Sequence, residues 1–216
     1  FNLLKGPLDQ IIVKHGKFWP TALNSLKMTL SYEDYLSGEV KNEIQQLVKT
    51  LSPTDIKSLI NLTISNPEWE EFNKGENGEY VDVQKIKTEK LAEKIITEQI
   101  DITSLLPDIL KGNQIQAFNF GRKLALLNTT DKKLLEASVI EIQKIDEHIQ
   151  NSLFISGLLY GYGDDKLIES VIDEFLKKKK CLNQVVNIVA CYGLTLSLFK
   201  KLSKALKKGI ISLEQM

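Results

Sequence analysis

The sequence is poor in the side chains that carry most recognition and catalytic chemistry. It has one arginine, Arg122, two histidines and two cysteines among 216 residues. Arginine supplies the planar donor fork that reads guanine edges and holds phosphates with paired hydrogen bonds. A sequence-specific DNA reader with a single arginine would be unusual, so the composition argues against that class of protein.

Short catalytic and cofactor motifs are also absent. The chain has neither a Gly-x-Ser-x-Gly elbow nor a phosphate-binding Gly-x-x-x-x-Gly-Lys-Ser/Thr loop. His15 lies beside a predicted helix stop, and His148 has Lys144 and Ser152 at the positions where a helical zinc site needs ligands. We therefore expect no catalytic residue, no cofactor and no metal, although a site assembled only in three dimensions stays an alternative.

The cysteines and the apolar runs bear on location. Cys181 and Cys191 on one helix would be separated by a rise of about 15 Å, too far for a disulfide, which favours a reducing compartment and a cytoplasmic protein. The longest uncharged run, residues 181–199, contains asparagine, glutamine and glycine and is flanked by lysines at both ends. It predicts two short helices rather than a membrane span. No signal peptide is visible, and because the chain starts at Phe1 we expect a fragment, a processed protein or the ordered part of a longer one.

Helical spacing of apolar residues is present nearly everywhere. With 43% apolar and 26% charged residues, the composition is that of an ordinary globular protein. Apolar side chains recur at i, i+3, i+4 and i+7, as in residues 131–149, and no stretch alternates as a strand does. We predict an all-α fold with few or no strands.

Helix starts and stops are marked by four short segments, which also carry capping side chains. They are Ser52-Pro53-Thr54-Asp55, Asn66-Pro67-Glu68, Thr130-Asp131 and Gly163-Asp164-Asp165. Later helices are predicted to start near residues 103, 114, 131, 150, 164, 182 and 195. From residue 131 onward alternate starts recur at about one helix-pair period, which favours a solenoid, or a bundle, of antiparallel helix pairs.

The polar, glycine-containing segment 73–79 is the most loop-like part of the chain. It predicts a boundary between an N-terminal helical subdomain, residues 1–74, and a helical-repeat domain, residues 80–216.

Small residues form two stripes at helical spacing. Ala117, Gly121 and Ala125 are four residues apart, as are Gly157 and Gly161. Glycine inside a helix costs about 1 kcal/mol relative to alanine, so we expect a neighbouring backbone to pack closely against these positions.

Charge is distributed unevenly although the net charge is zero. Residues 175–216 hold nine lysines and one acid, and the predicted last helix, 195–208, is amphipathic. We expect Leu198, Phe199, Leu202 and Leu206 to pack on the helix at 182–192. The opposite face is predicted to lie in water and is the candidate partner-binding surface; it comprises Lys200, Lys201, Lys204, Lys207 and Lys208. A face that serves only solubility would have the same sequence.

The segment Leu105-Leu106-Pro107-Asp108-Ile109-Leu110 to Ala117-Phe118-Asn119-Phe120-Gly121, continuing to Ala125, resembles a HEAT-like helix pair. Such solenoids, like tetratricopeptide arrays, occur in large bacterial signalling ATPases, including antiviral ones, where they act as sensor arms. The resemblance covers the C-terminal half and does not extend to the first 75 residues. It implies a non-catalytic scaffold whose partner is another protein or a neighbouring domain of a longer chain. The alternatives are an enzyme-associated helical domain, or nucleic-acid or anionic-surface binding through the lysine-rich helix.

Overall fold

The computed structural model describes residues 19–32, 35–65, 72–74 and 80–212. This part of the chain is helical apart from one antiparallel hairpin of β1 (Phe72–Lys74) and β2 (Tyr80–Asp82), in which Asn73 lies opposite Val81. The prediction of an all-α fold built from helix pairs is confirmed. His15, the predicted start at Asn66-Pro67-Glu68 and residues 75–79 of the predicted loop-like segment 73–79 lie outside the described residues. Asn73 and Lys74, the first two residues of that segment, belong to β1 rather than to a loop.

The chain divides into two compact units, Phe1–Gln84 and Lys85–Met216. The first contains α1 (Pro20–Ser31), α2 (Gly38–Leu51) and α3 (Ile56–Ile60), which continues into a π-helical turn over Asn61–Ser65. Helices α1 and α2 pack on each other. Their buried core consists of Leu23, Leu51 and Leu62, with Ala22, Leu26 and Val48 packed against it.

The second unit is a run of helices joined by short connections. Helix α4 begins at the junction of the units and is followed by a 3₁₀ turn, Thr103–Leu105, and the single turn α5. The remaining six helices form three successive pairs. The helices are α4 (Val83–Thr97), α5 (Leu106–Ile109), α6 (Ala117–Leu127), α7 (Lys133–Ile142), α8 (Leu153–Tyr162), α9 (Asp165–Leu176), α10 (Leu182–Tyr192) and α11 (Leu196–Lys207).

Capping side chains explain several of these boundaries. Gly163 ends α8 with a left-handed φ of 61°, and the Asp164 carboxylate accepts the Lys166 and Leu167 amides at the start of α9, as predicted. Asp55 caps α3 by accepting the Ser58 amide at 2.9 Å. Pro53, which the sequence predicts at or near the first helical position, lies three residues before the first residue of α3 and therefore precedes the helix.

The closest contact in the second unit joins α6 to α8. A Cβ atom on Gly121 would overlap the carbonyl oxygen of Phe154, and one on Gly157 would overlap the carbonyl oxygen of Phe118. A Cβ atom on Gly161 would lie 2.5 Å from the carbonyl oxygen of Arg122. Both predicted small-residue stripes are therefore packing surfaces, and each is the other's partner.

Helices α6 and α8 run in the same direction. Gly157 faces Phe118 and Arg122, whereas Gly161, one turn later, faces Arg122 and Ala125. Advancing along one helix thus advances the contact along the other. The closest packing therefore joins alternate helices, with α7 connecting them.

Polar contacts between consecutive helix pairs recur at a nearly constant sequence separation. The Tyr162 hydroxyl donates to the Asp131 carbonyl and the Gln143 amide donates to Glu174, each across 31 residues. Lys201 pairs with Asp173 across 28 residues, and the Tyr192 hydroxyl donates to Asp165 across 27. Each helix pair is thus joined to the next by similarly spaced polar contacts.

An aromatic ladder crosses the same three pairs. The ring of Tyr160 in α8 lies edge-on to Phe118 in α6 at 5.6 Å and to Tyr192 in α10 at 6.2 Å. Edge-to-face rings at such distances attract each other beyond the effect of burial. The ladder therefore links α6, α8 and α10 into one row.

Gly121→Ala should destabilise the second unit although alanine is the better helix former. The added methyl group meets the α8 backbone, and overpacking of this kind costs about 1–3 kcal/mol, more than the gain in helix propensity of about 1 kcal/mol. Denaturant unfolding monitored by circular dichroism measures the change.

Gly38→Ala is the matched control, because nothing lies within 4 Å of the added methyl group in α2. We expect it to be neutral or stabilising. Equal effects of the two substitutions would show that the α6–α8 contact does not require glycine.

Candidate partner-binding surface

Helix α11 carries the lysines that the sequence singles out. Its N-cap is Thr195, whose hydroxyl accepts the Leu198 amide at 3.2 Å. Its buried residues are Leu198, Leu202 and Ala205, which share one face, and Leu206 is half-buried beside them. Lys200, Lys204, Lys207 and Lys208 are exposed, as predicted.

The prediction that Lys201 lies in water is wrong. Only 20% of its side chain is exposed, and its ammonium group lies 2.6 Å from the Asp173 carboxylate and 3.6 Å from that of Glu169. The same group donates to the Glu169 carbonyl at 3.3 Å. Lys201 faces α9 because that helix presents two acids one turn apart, and it joins α9 to α11.

Phe199, which the sequence predicts to pack with Leu198, Leu202 and Leu206 on the helix at 182–192, is instead 54% exposed. The buried arc of α11 is centred on Leu198, Leu202 and Ala205. At about 100° per residue, Phe199 falls outside that arc.

A groove of about 540 Å³ runs between α9 and α11 and the residues after it. Lys177 lines this groove together with three exposed lysines of the predicted surface, Lys200, Lys204 and Lys208, and apolar side chains lie between them. The lining includes Lys177, Lys200, Lys204, Lys208, Leu176, Ala205 and Ile210, together with the Lys201–Asp173 pair. Lys201 forms an ion pair, but within the described residues the other four groove lysines do not. These four are Lys177, Lys200, Lys204 and Lys208.

The groove combines concentrated positive charge with apolar surface. Lysine ammonium groups are flexible point charges that attract carboxylates without imposing a paired geometry. Leu176 and Ile210 offer apolar contact beside them. Such a surface suits an acidic ligand that also carries apolar side chains, and its attraction should be screened by salt.

Sequence reasoning missed Lys177 and Ile210 as members of this surface. Lys177 belongs to the run Lys177–Lys180, which is plain in the sequence. Because α10 separates that run from α11 along the chain, the sequence does not show that Lys177 lies near the lysines of α11. Ile210 follows the end of α11 and carries no periodic signal.

Other chemically reactive side chains do not converge in the described part of the chain. Cys181 is buried, and burial raises the pKa of its thiol, which keeps it protonated; the Gln150 amide lies 4.0 Å from its sulfur. His148 is largely exposed, 3.9 Å from Glu147. The described residues contain no cluster of three or more potential metal ligands.

Elsewhere in the same unit, burial raises the pKa of Tyr162 to about 12, and the nearby Asp131 carboxylate adds to the shift. Burial also raises the pKa of Tyr192, whose hydroxyl donates to Asp165. Both phenols stay neutral donors at physiological pH, which preserves two of the bonds between helix pairs.

Comparison of the chain with protein families, curated proteins and solved structures found no match. Among the described helices, none is long and apolar enough to cross a membrane.

Lys201→Gln should destabilise the second unit by about 0.2–1 kcal/mol, the usual range for partly exposed ion pairs, with a smaller effect at high salt. Lys204→Gln removes the same charge one turn away without breaking an ion pair, and it should leave the unfolding free energy unchanged. If both variants unfold like the wild type, the α9–α11 ion pair contributes nothing measurable.

Proposed function

We propose that the chain is a non-catalytic helical scaffold that binds another protein, or another region of a longer parent chain, through the groove between α9 and α11. The observation that carries the proposal is a set of four lysines, none of which forms an ion pair with another described residue, arranged around apolar side chains. Exposed like charges repel one another, and an acidic partner would relieve that repulsion.

The architecture supports a scaffold. Consecutive helix pairs of α6–α11 contact each other across 27–31 residues, a spacing that supports a solenoid, in which each repeat contacts its neighbours. On this basis we propose that the unit is a HEAT-like or tetratricopeptide-like array, of the kind that serves large bacterial signalling ATPases as a sensor arm. We also propose a cytoplasmic setting, supported by the free thiols of Cys181 and Cys191.

A protein partner is favoured over nucleic acid by the groove itself. Its cations are all lysines, which lack the paired-donor fork that arginine offers to phosphates and base edges, and apolar side chains lie between them. The one arginine, Arg122, lies over the Tyr160 ring at 5.7 Å and is not among the groove residues.

The test replaces Lys177, Lys200, Lys204 and Lys208 together by glutamine. The probe is a fluorescent peptide of about 20 residues with leucines at helical spacing and glutamates along one flank. We expect the wild type to bind it, with an affinity that falls as salt rises, and the variant to bind roughly tenfold more weakly or worse, because each exposed pair contributes about 0.2–1 kcal/mol.

The matched control replaces four exposed lysines outside the groove, Lys90, Lys94, Lys133 and Lys166, by glutamine. It has the same net charge as the groove variant and should bind like the wild type. Equal losses in both variants would reduce the effect to overall charge. Tighter binding to duplex DNA than to the peptide would favour the nucleic-acid alternative instead.

A further inference from the structure

Helix α11 has an apolar stripe outside both its buried face and the groove. Leu196 is 70% exposed and Phe199 is 54% exposed. The small, polar Ser203 follows at i+7 from Leu196, and the half-buried Leu206, at i+10, lies at the edge between the stripe and the buried face. These spacings place all four on one side of an α-helix.

That side points away from α9. Lys201 marks the direction of α9, because its ammonium group reaches Asp173 and Glu169. At about 100° per residue, Phe199 and Ser203 lie about 160° from Lys201 in opposite senses around the helix. The stripe therefore lies on the side of α11 opposite the contact with α9, where a further helix has space to pack on α11.

Lysines border the stripe. Continuing around α11 from Leu196, the next positions are Lys207, Lys200 and Lys204, all exposed. On the opposite side of α11, the neighbouring helix α9 already meets a lysine with carboxylates. The internal contact thus shows the chemistry by which a helix packs beside α11.

We propose that the outer face of α11 docks an amphipathic α-helix of a partner protein, with apolar residues on Leu196 and Phe199 and acidic residues on Lys200, Lys204 and Lys207. The positive charge of the bordering lysines favours an acidic partner. The stripe runs along α11, so it suits the apolar face of a helix that packs alongside it. This inference rests on the proposed scaffold function and adds a second docking surface, which adjoins the groove through Lys200 and Lys204.

The experiment compares two peptides of identical composition with the full 216-residue chain. One is the acidic amphipathic peptide described above, and the other has its leucines rearranged so that no apolar face forms. We expect the wild type to bind the amphipathic peptide roughly tenfold or more tightly than the rearranged one, since buried apolar anchors dominate such interfaces.

The variant Leu196→Ser with Phe199→Ser should lose that preference and bind both peptides equally. The matched control, Leu126→Ser with Ile140→Ser, removes two apolar side chains of similar exposure from α6 and α7 and should keep the preference. Both pairs are largely exposed, so circular dichroism should show native helicity in each.

The two proposals fail in different ways. If the serine variant keeps the preference while the four-lysine variant loses binding, the helix-docking inference is wrong and the scaffold proposal stands. If neither variant changes binding, both are wrong. Two further results would overturn the inference: dimers of the wild type that dissociate in the serine variant, and binding to vesicles of phosphatidylcholine and phosphatidylserine that depends on Phe199.

Discussion

Direct contact between the backbones of α6 and α8 is the constraint on which the second unit depends. Gly121, Gly157 and Gly161 let carbonyl oxygens of one helix occupy the space that side chains would fill on the other. Each glycine costs about 1 kcal/mol of helix propensity, which close dispersion contacts along the two helices offset. Helix α8 is buried along most of its length, from Phe154 to Leu159, and the ladder through Tyr160 and Tyr192 then joins α10 to the same row.

Much of this helix order could be predicted from the sequence, because apolar periodicity and capping residues are local signals. The small-residue stripes also predicted a close approach. Their pairing with each other could not be predicted, since a stripe shows that some backbone comes near without showing which one. The parallel direction of α6 and α8 follows from a connection through α7, and no residue pattern within either helix encodes it.

The lysine-rich surface shows the same limit. The sequence places Lys201 and Lys204 on the same lysine-rich face of the last helix. Only Lys201 pairs with Asp173 and Glu169, because α9 places those acids beside it. A helical wheel also assigns Phe199 to a wide apolar face. The buried arc of α11 is narrower than that face, and Phe199 is exposed. Whether an apolar residue at the edge of such a face is buried or available for contact depends on the neighbouring helices, which the wheel does not include.

The division of the chain after Gln84 places both tryptophans, Trp19 and Trp69, in the first unit. The six tyrosines are shared equally, since Tyr32, Tyr35 and Tyr80 belong to the first unit and Tyr160, Tyr162 and Tyr192 to the second. Indole emission therefore originates in residues 1–84, whereas near-ultraviolet dichroism combines rings of both units. Indole fluorescence thus gives a melting curve for a probe in the first unit without adding a label.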